Sequence, residues 1–167
     1  MSGSFQLWVD TVRGITGPTE ELSMLDLCCG EMSATRLIKW KTVSAVDVVD
    51  YPNRPREYIF WKQDVLDPLM SADGFDVCIC SDGLEHFTRE QGYRLLVNME
   101  RWAKLPIVFT PTGQPESELE PNSTHPDAHK SSWLPAHFIG IGWHTKLFPD
   151  WHPTIGLGGL FAWKPKS

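Results

Sequence analysis

Residues 23–33 read SMLDLCCGEMS, and this stretch decides the fold. An apolar run stops abruptly at Gly30 and is followed by a helical-looking segment from Ala34 to Trp40. The pattern predicts a short buried strand, a tight turn and the start of a helix. Backbone amides are exposed in such a turn, so the turn is suited to hold an anion or a nucleotide.

Further apolar runs along the chain have the length of buried strands. Asp47 closes the second run, Asp64 closes the third, and Asp82 follows the fourth. Short apolar runs bounded by turn residues are typical of strands in a sheet core. The predicted strands span residues 23–28, 43–48, 58–62, 75–81, 105–110, 143–149 and 158–163.

Helices are predicted before and between these strands. Residues 5–13 carry apolar side chains at helical spacing and are followed by glycines, which predicts a short amphipathic helix. Thr88 and Gln91 match a capping box and open a helix that ends near residue 103. Residues 133–140 read as a short helix with proline in its first turn and glycine near its end.

Together these features resemble the class I S-adenosylmethionine-dependent methyltransferases, a Rossmann-like family, in their small-molecule type. The resemblance covers about residues 23–163. It implies an α/β fold: a single three-layer sandwich around a mostly parallel seven-stranded sheet with an antiparallel C-terminal hairpin. One methyltransferase domain would span 1–167, made of an N-terminal helix and lead-in (1–22), a cofactor-binding half (23–113), a lid or acceptor loop (114–130), and a C-terminal helix and hairpin (131–167).

The loop after the first strand departs from the family pattern. That pattern is an acidic residue followed by Gly-x-Gly-x-Gly, and this chain has Cys28, Gly30 and Met32 at the three glycine positions. Cys28 is a mild change because a small side chain still lets a ligand approach, whereas Met32 is a larger change. Asp26 lies within the hydrophobic strand, so its carboxylate needs hydrogen-bond partners, and we expect loop amides to supply them.

The resemblance also implies which residues hold the cofactor. Asp47 would accept hydrogen bonds from ribose hydroxyls at the tip of the second strand, with Asp50 as a competitor for this role. Asp64 and the Val65 amide would contact adenine, while an aspartate in that position also suits a turn. The implied cofactor-binding residues are Asp26, Cys28, Gly30, Asp47, Val48, Asp64, Val65, Ser81, Asp82 and Leu84.

The pair Glu85-His86, just after the fourth strand, is the most specific local pattern in the chain. In the family this exit loop opens onto the methyl acceptor. Imidazole titrates near neutral pH, so His86 is a candidate base for an acceptor hydroxyl or amine. The alternative is that His86 bonds to backbone and shapes the loop. His129 is a second candidate for acid–base chemistry or for positioning the acceptor.

The acidic connection over residues 114–130 has no periodic pattern, and we interpret it as a lid or acceptor-binding loop. Its His125, Asp127 and His129 suggest a metal ligand set, but Pro126 restricts their geometry and a polar loop is the simpler interpretation. The cysteines suit buried packing in a reducing compartment and lack the spacing of zinc sites. They are Cys28, Cys29, Cys78 and Cys80. We therefore expect no metal site.

Composition limits the classes of partner. The chain has 15 basic and 21 acidic residues, a net charge of −6, and no basic run, so a small-molecule acceptor is favoured and no nucleic acid is expected. No segment approaches the roughly 20 apolar residues of a membrane span, and the N-terminus lacks a secretion signal. A cytoplasmic protein without a membrane partner is expected. The tryptophans at 133, 143, 151 and 163 either line an acceptor pocket or pack at the sheet edges.

The sequence therefore predicts an enzyme that moves a methyl group from S-adenosylmethionine to a small-molecule acceptor by in-line displacement and releases S-adenosylhomocysteine. A catalytically inactive, methyltransferase-like binding module is the alternative, because of Met32 and the short crossover after the second strand. An NAD(P)-dependent reductase is less favoured. Its Gly-x-Gly-x-x-Gly loop requires glycines where this chain has Cys28 and Ser33.

Overall fold

The structure, a computed structural model, describes residues 3–68, 70–152 and 156–166. The described strands are β1 (Ser23–Leu27), β2 (Thr42–Asp47), β3 (Ile59–Lys62), β4 (Phe75–Ser81), β5 (Ala103–Thr112), β6 (His144–His152) and β7 (Leu157–Trp163). The described α-helices are α1 (Gly3–Thr16), α2 (Arg89–Trp102) and α3 (Pro135–Ile139). Residues 153–155, within the predicted connection of the terminal hairpin, lie outside the described residues.

The strands form one seven-stranded sheet in the order β3-β2-β1-β4-β5-β7-β6. β1 to β5 run parallel, and β7 is antiparallel to both of its neighbours. Leu27 at the end of β1 pairs with Val46 of β2 and with Cys80 of β4, so these strands end at the same edge of the sheet. The predicted α/β sandwich with an antiparallel C-terminal hairpin is confirmed.

Both faces of the sheet are covered, because side chains alternate between two apolar clusters. On one face α1 packs with Trp8, Val9 and Val12 against residues such as Met24 and Ile79. On the other face α2 and α3 cover a second cluster. That cluster includes Leu25, Cys78, Leu95, Leu96, Met99, Trp133, Phe138 and Leu160. Alternation of this kind fixes the strand register, since a shift by one residue would exchange the two faces.

The capping box predicted at the start of α2 is present. The Thr88 side chain accepts a hydrogen bond from the Gln91 amide, and the Gln91 side chain accepts one from the Thr88 amide. α3 begins with Pro135 and is capped at Gly140, as its sequence indicated. The start of α2 is therefore encoded by local sequence.

The prediction of a helix after β1 is wrong. Between residues 34 and 40 the chain forms only a 3₁₀ turn, Thr35–Leu37, and then extends through Ile38. Ile38 and Trp40 are buried against the α1 face of the sheet, and Ile38 has an extended backbone. A helix this short has little stability of its own, so tertiary packing decides the conformation.

The tryptophans and cysteines, whose roles the sequence left open, pack in or against the core. Trp133 and Trp143 are buried in the core. Trp151 and Trp163 pack against the cluster that α1 covers with Trp8, Val9 and Val12, here called the α1-side cluster. The four cysteines are all unpaired, and Cys78 and Cys80 are fully buried. In the part of the chain that the structure describes, no helix is long and apolar enough to cross a lipid bilayer.

Candidate functional site

A cleft of about 310 Å³ lies where the carboxyl ends of β1 to β4 meet. Ligands of parallel α/β sheets bind at this edge, outside the carboxyl ends of the strands. From the strand exits the cleft is lined by Cys28, Gly30, Asp47, Val48, Val49, Tyr51, Gln63, Asp64, Val65, Leu66, Asp82 and Gly83. From the second half of the chain it is lined by His86, Phe87, Gln91, Pro126, Asp127 and Lys130.

The loop after β1 keeps a left-handed backbone at each position where the family pattern has glycine. The φ angles are 53° at Cys28, 51° at Gly30 and 58° at Met32. A side chain in this region costs on the order of 1–2 kcal/mol, so two of the three residues are strained. Met32 is buried in the α1-side cluster, and the packing of its side chain offsets the strain. The loop therefore has a left-handed residue at all three positions, although two of the three are not glycine.

Asp47, rather than Asp26, fixes this loop. The Gly30 amide donates to Asp47 Oδ2 at 2.9 Å, and the Val49 amide donates to Asp47 Oδ1 at 2.9 Å. These bonds tie the tip of β2 to the loop that follows β1. Gly30, Asp47 and Val49 all border the cleft.

Asp26 has a different partner from the one expected. It is 1% exposed, its side chain bonds with the side chain of Thr35, and its Oδ2 has no hydrogen-bond partner among the described residues. Burial, reinforced by the charge of Asp47, raises the pKa of Asp26 to about 7, while Thr35 lowers it. The expectation of loop amides as partners is thus wrong. The 3₁₀ turn, which replaced the predicted helix, supplies the hydroxyl.

The corner after β3 combines the two roles that the sequence left open. The Leu66 amide donates to Asp64 Oδ1 at 2.8 Å, which is a turn contact, and Asp64 also borders the cleft. Val65 is buried beneath the same corner. The turn therefore holds the Asp64 carboxylate at the rim.

The exit of β4 approaches the β1 loop closely. A Cβ at Gly83 would lie 2.7 Å from Cys28 Cβ and 3.0 Å from Cys80 Sγ, so only glycine fits there. Asp82, just before it, has a φ of 49°, and its amide donates to the Phe109 carbonyl at 2.9 Å. Burial raises the pKa of Asp82 to about 6, against a lowering contribution from Ser81. A polar, partly desolvated wall results.

Glu85 and His86 lie in a 3₁₀ turn, Leu84–His86, directly after this exit. Glu85 is 2% exposed, and its Oε2 accepts from the Thr110 hydroxyl at 2.9 Å. Burial, together with the charge of Asp82, raises the pKa of Glu85 to about 8. His86 borders the cleft, and its ring packs edge-on against the ring of His129 at 5.2 Å.

His129 belongs to the irregular connection 114–130, which folds back onto the cleft. The Lys130 and Ser131 amides both donate to the Glu85 carbonyl, at 2.7 Å and 3.2 Å. Burial and the nearby His86 lower the pKa of His129. The same connection gives Pro126, Asp127 and Lys130 to the cleft wall.

Of the ten residues predicted around a cofactor, seven border the cleft. They are Cys28, Gly30, Asp47, Val48, Asp64, Val65 and Asp82. Asp26 lies buried behind the loop, Leu84 is fully buried in the core, and Ser81 lies at the end of β4 outside the lining. His86 also borders the cleft, and His129 stands behind it.

Several lining residues carried no signal in the sequence. Tyr51 lies in the irregular crossover, and its pKa is raised by burial and by Asp47 and Asp127. Gln91 was predicted only as a capping residue, and Phe87 was given no role of its own. Lys130 is the basic side chain of the wall. The sequence predicted the connection 114–130 as a lid or acceptor-binding loop, but it did not show that the Lys130 and Ser131 amides dock on the Glu85 carbonyl.

No protein-family model matches the chain, and no curated protein matches it. Solved structures do. The Burkholderia thailandensis 1,6-didemethyltoxoflavin-N1-methyltransferase, with bound 1,6-didemethyltoxoflavin and S-adenosylhomocysteine, is similar with a TM-score of 0.71 and 15% identity, over 99% of this chain and 79% of that one. A complex of DhpI with SAH is similar with a TM-score of 0.64 and 16% identity, over 97% of this chain and 88% of that one.

The small RNA methyltransferase HEN1 is also similar. Its TM-score is 0.65 at 16% identity, over 98% of this chain and 25% of that one. Likeness at this level of identity speaks for the fold and leaves the acceptor open, since small-molecule and RNA methyltransferases both share it. The chain therefore has the Rossmann-like fold of the class I S-adenosylmethionine-dependent methyltransferases.

Proposed function

We propose that this protein binds S-adenosylmethionine in the cleft and transfers its methyl group to a small-molecule acceptor. The observation that carries the proposal is the convergence of Gly30, Asp47, Asp64 and Asp82, from four successive strand exits, on one cleft. Structural neighbours with this fold have been solved with SAM or SAH bound, which supports the same donor here. The acidic rim complements a sulfonium cation.

Asp47 is proposed to hold the ribose. Its two oxygens already accept the Gly30 and Val49 amides, but a carboxylate offers about four lone-pair sites. Two sites remain for ribose hydroxyls. The carboxylate is pre-oriented by backbone, so binding does not have to order it.

Asp64 and Val65 are proposed to hold adenine. Asp64 Oδ1 is taken by the Leu66 amide, which leaves Oδ2 to accept from the adenine amino group. Cys28, Gly30 and Asp82 are proposed to border the amino-acid portion and the sulfonium. The side chain of Cys28 narrows this part of the cleft in comparison with a glycine.

The chemistry requires the chain mainly to position two reactants. S-adenosylmethionine supplies an activated methyl group, because its sulfur is positively charged and leaves neutral. The cleft residues hold the donor, the connection 114–130 is proposed to cover the acceptor, and together they exclude water. Alignment of this kind contributes on the order of 7–11 kcal/mol to lowering the barrier.

His86 and His129 are proposed to act on the acceptor side. His86 stands at the cleft wall beside Phe87 and Lys130, and His129 packs behind it. We propose that His86 takes a proton from an acceptor hydroxyl or amine, and that His129 supports or orients it from behind. His86 also contacts the Ala128 carbonyl through Nδ1 at 3.3 Å, so it shapes the loop as well.

A small-molecule acceptor is favoured over RNA on charge. The chain has a net charge of −6, and the connection that reaches the cleft mouth with Asp127 also carries exposed Glu116 and Glu118. Such a mouth repels a phosphate backbone. Loss of catalysis is the second candidate, and the strained side chains at Cys28 and Met32 favour it.

Calorimetry followed by turnover separates these possibilities. We expect S-adenosylmethionine and S-adenosylhomocysteine to bind and NADH not to bind. Formation of S-adenosylhomocysteine is then measured with a panel of small hydroxyl and amine acceptors, and in parallel with an RNA oligonucleotide. Binding without turnover on either would favour the inactive module. Turnover on RNA alone would replace the small-molecule acceptor, and binding of NADH alone would overturn the proposal.

A further inference from the structure

The side chains of Glu85, His86 and His129 meet beside the cleft. One potential ligand atom from each lies within 4.8 Å of the other two. We propose that these three side chains bind a divalent first-row transition-metal ion. The site is distinct from the set His125, Asp127 and His129 considered from the sequence, and it revises the expectation that the protein has no metal site.

The fold brings these residues together by a specific backbone contact. Glu85 and His86 are adjacent in the turn after β4, while His129 belongs to the connection after β5. The Lys130 and Ser131 amides donate to the Glu85 carbonyl and fix His129 against the turn. Backbone hydrogen bonds therefore hold the two segments that carry the cluster next to each other.

Each of the three side chains is held from behind by a partner outside the cluster. The Thr110 hydroxyl donates to Glu85 Oε2 at 2.9 Å, which leaves Oε1 toward the cluster. His86 Nδ1 faces the Ala128 carbonyl at 3.3 Å, and His129 Nδ1 faces Gln114 Oε1 at 2.5 Å. Both of these partners are acceptors, so each imidazole carries its proton on Nδ1.

This tautomer leaves the Nε2 lone pair of both histidines free. Metal-binding histidines in proteins usually donate their second ring N–H to a carbonyl or carboxylate in this way. Glu85, at 2% exposure, is a buried carboxyl group, and its Oε1 lies 4.0 Å from His86 Nε2. A buried carboxylate is stabilised by a cation or a metal ion. The three side chains are thus oriented to act as ligands to one ion.

The spacing requires only a small contraction. Bonds of about 2.0–2.2 Å place neighbouring ligand atoms roughly 3–3.5 Å apart, against the present limit of 4.8 Å. The change is about the size that side-chain torsions supply, and His129, which is only partly buried, has more freedom for it than the buried Glu85. Two imidazoles with one carboxylate suit manganese, iron, cobalt or zinc better than calcium or magnesium, which prefer oxygen ligands.

Three protein ligands leave open positions on the ion, and His86 places them at the cleft wall. This step rests on the proposed methyl transfer: an acceptor oxygen bound at an open position would be activated by the ion. His86 and His129 would then serve as ligands and not as proton acceptors. An acceptor carrying a hydroxyl group is the chemical class that fits.

The test is titration of the untagged, EDTA-treated full chain with MnCl₂, followed by calorimetry and by the loss of the electron paramagnetic resonance signal of free Mn²⁺. No methyl donor is present, so the result is independent of the proposed function. We expect one site per chain. Glu85→Gln and His129→Ala should each weaken Mn²⁺ binding at least tenfold. His125→Ala, which alters an exposed histidine of the same connection, is the matched control and should bind as the parent does.

Glu85 is buried, so near-ultraviolet circular dichroism must show that the Glu85→Gln chain is folded. Where it is not, His129→Ala decides the matter, because His129 lies on the connection and not in the core. Absence of binding at 1 mM Mn²⁺ and at 1 mM Zn²⁺ would overturn the proposal. So would a His129→Ala chain with the parent's affinity, or equal weakening by His125→Ala. In each of these cases S-adenosylmethionine binding, measured separately, still tests the proposed function.

Discussion

At the scale of single residues, Asp26 is the least satisfied group in the sheet. It lies near the carboxyl end of β1, 1% exposed, with Thr35 as a hydrogen-bond partner and no partner for Oδ2 among the described residues. Its pKa rises from 3.8 to about 7, mainly through burial. The folded chain therefore holds a proton that the unfolded chain releases.

This shift predicts a pH-dependent effect of Asp26→Asn. Between pH 4 and 7 the unfolded state binds fewer protons at this site, so the stability of the parent falls as pH rises. Asparagine keeps an acceptor for Thr35 and has no charge to bury. The variant should gain stability relative to the parent with rising pH, by about 4 kcal/mol at pH 8 against about 1.5–2 kcal/mol at pH 5.

Urea unfolding at pH 5 and pH 8 measures the difference. Asp10→Asn, on the exposed face of α1, serves as the control and should change the unfolding free energy by less than about 0.5 kcal/mol at both values. An Asp26→Asn effect of the same size at both pH values would show that Asp26 is ionised throughout.

Asp47 and Asp50 were both candidates for binding ribose, and their positions in the structure differ. Asp47 borders the cleft, whereas Asp50 is engaged by Arg54 and Arg56 in the crossover. Asp47→Ala removes the proposed ribose acceptor and also the partner of the Gly30 amide. We expect S-adenosylmethionine affinity to fall by about 1–3 kcal/mol, measured by calorimetry.

Asp50→Asn is the matched control for that measurement, because it keeps an acceptor oxygen for the arginines. Its affinity should equal that of the parent. Unchanged affinity in Asp47→Ala, with a loss in Asp50→Asn, would transfer the ribose role to Asp50.

At the scale of elements, α2 shows why a glycine lies inside a helix. By helix propensity alone, Gly92→Ala should stabilise α2 by up to about 1 kcal/mol. A Cβ at this position, however, would overlap the Trp133 ring and approach Leu84 Cδ1 at 3.3 Å. Trp133 is fully buried and cannot move aside. Overpacking costs about 1–3 kcal/mol, so we expect a net loss of about 1–2 kcal/mol.

Gly14→Ala in α1 is the control, since no atom lies within 4 Å of a Cβ built there. It should leave the chain equally stable or stabilise it by up to about 1 kcal/mol. Thermal and urea unfolding of both variants give the comparison. Stabilisation by Gly92→Ala would mean that Trp133 does not pack against this turn of the helix.

The elements also show which parts of the fold local sequence could predict. Strands with two buried faces and a capping box at Thr88 are encoded by neighbouring residues, and the structure has them. The segment 34–40 has a helical pattern, but burial of Ile38 and Trp40 in an extended conformation overrides it. Propensity is a weak guide in such short segments.

At the scale of the whole molecule, the site was predictable where strand ends determine it. Asp47 and Asp64 could be placed at one edge because parallel strands end together there. The partner of Asp26 and the meeting of Glu85 with His129 could not, since both depend on contacts between distant segments. The roles of these residues toward a cofactor stay predictions.

A ligand that bridges four strand exits should stabilise the entire sheet. The cleft is lined from β1, β2, β3 and β4, so unfolding any of them destroys the site. Binding to the folded chain alone adds about 2.7 kcal/mol of stability when S-adenosylhomocysteine is present at about 100 times its Kd. For a chain of this length that corresponds to a rise in Tm of about 5–10 °C.

Differential scanning fluorimetry measures the shift, with NADH at the same concentration as the control. Asp47→Ala at that fixed ligand concentration should show a smaller rise, because its Kd is higher. A Tm that does not respond to S-adenosylhomocysteine, or that rises equally with NADH, would show that the cleft is not an adenosyl site.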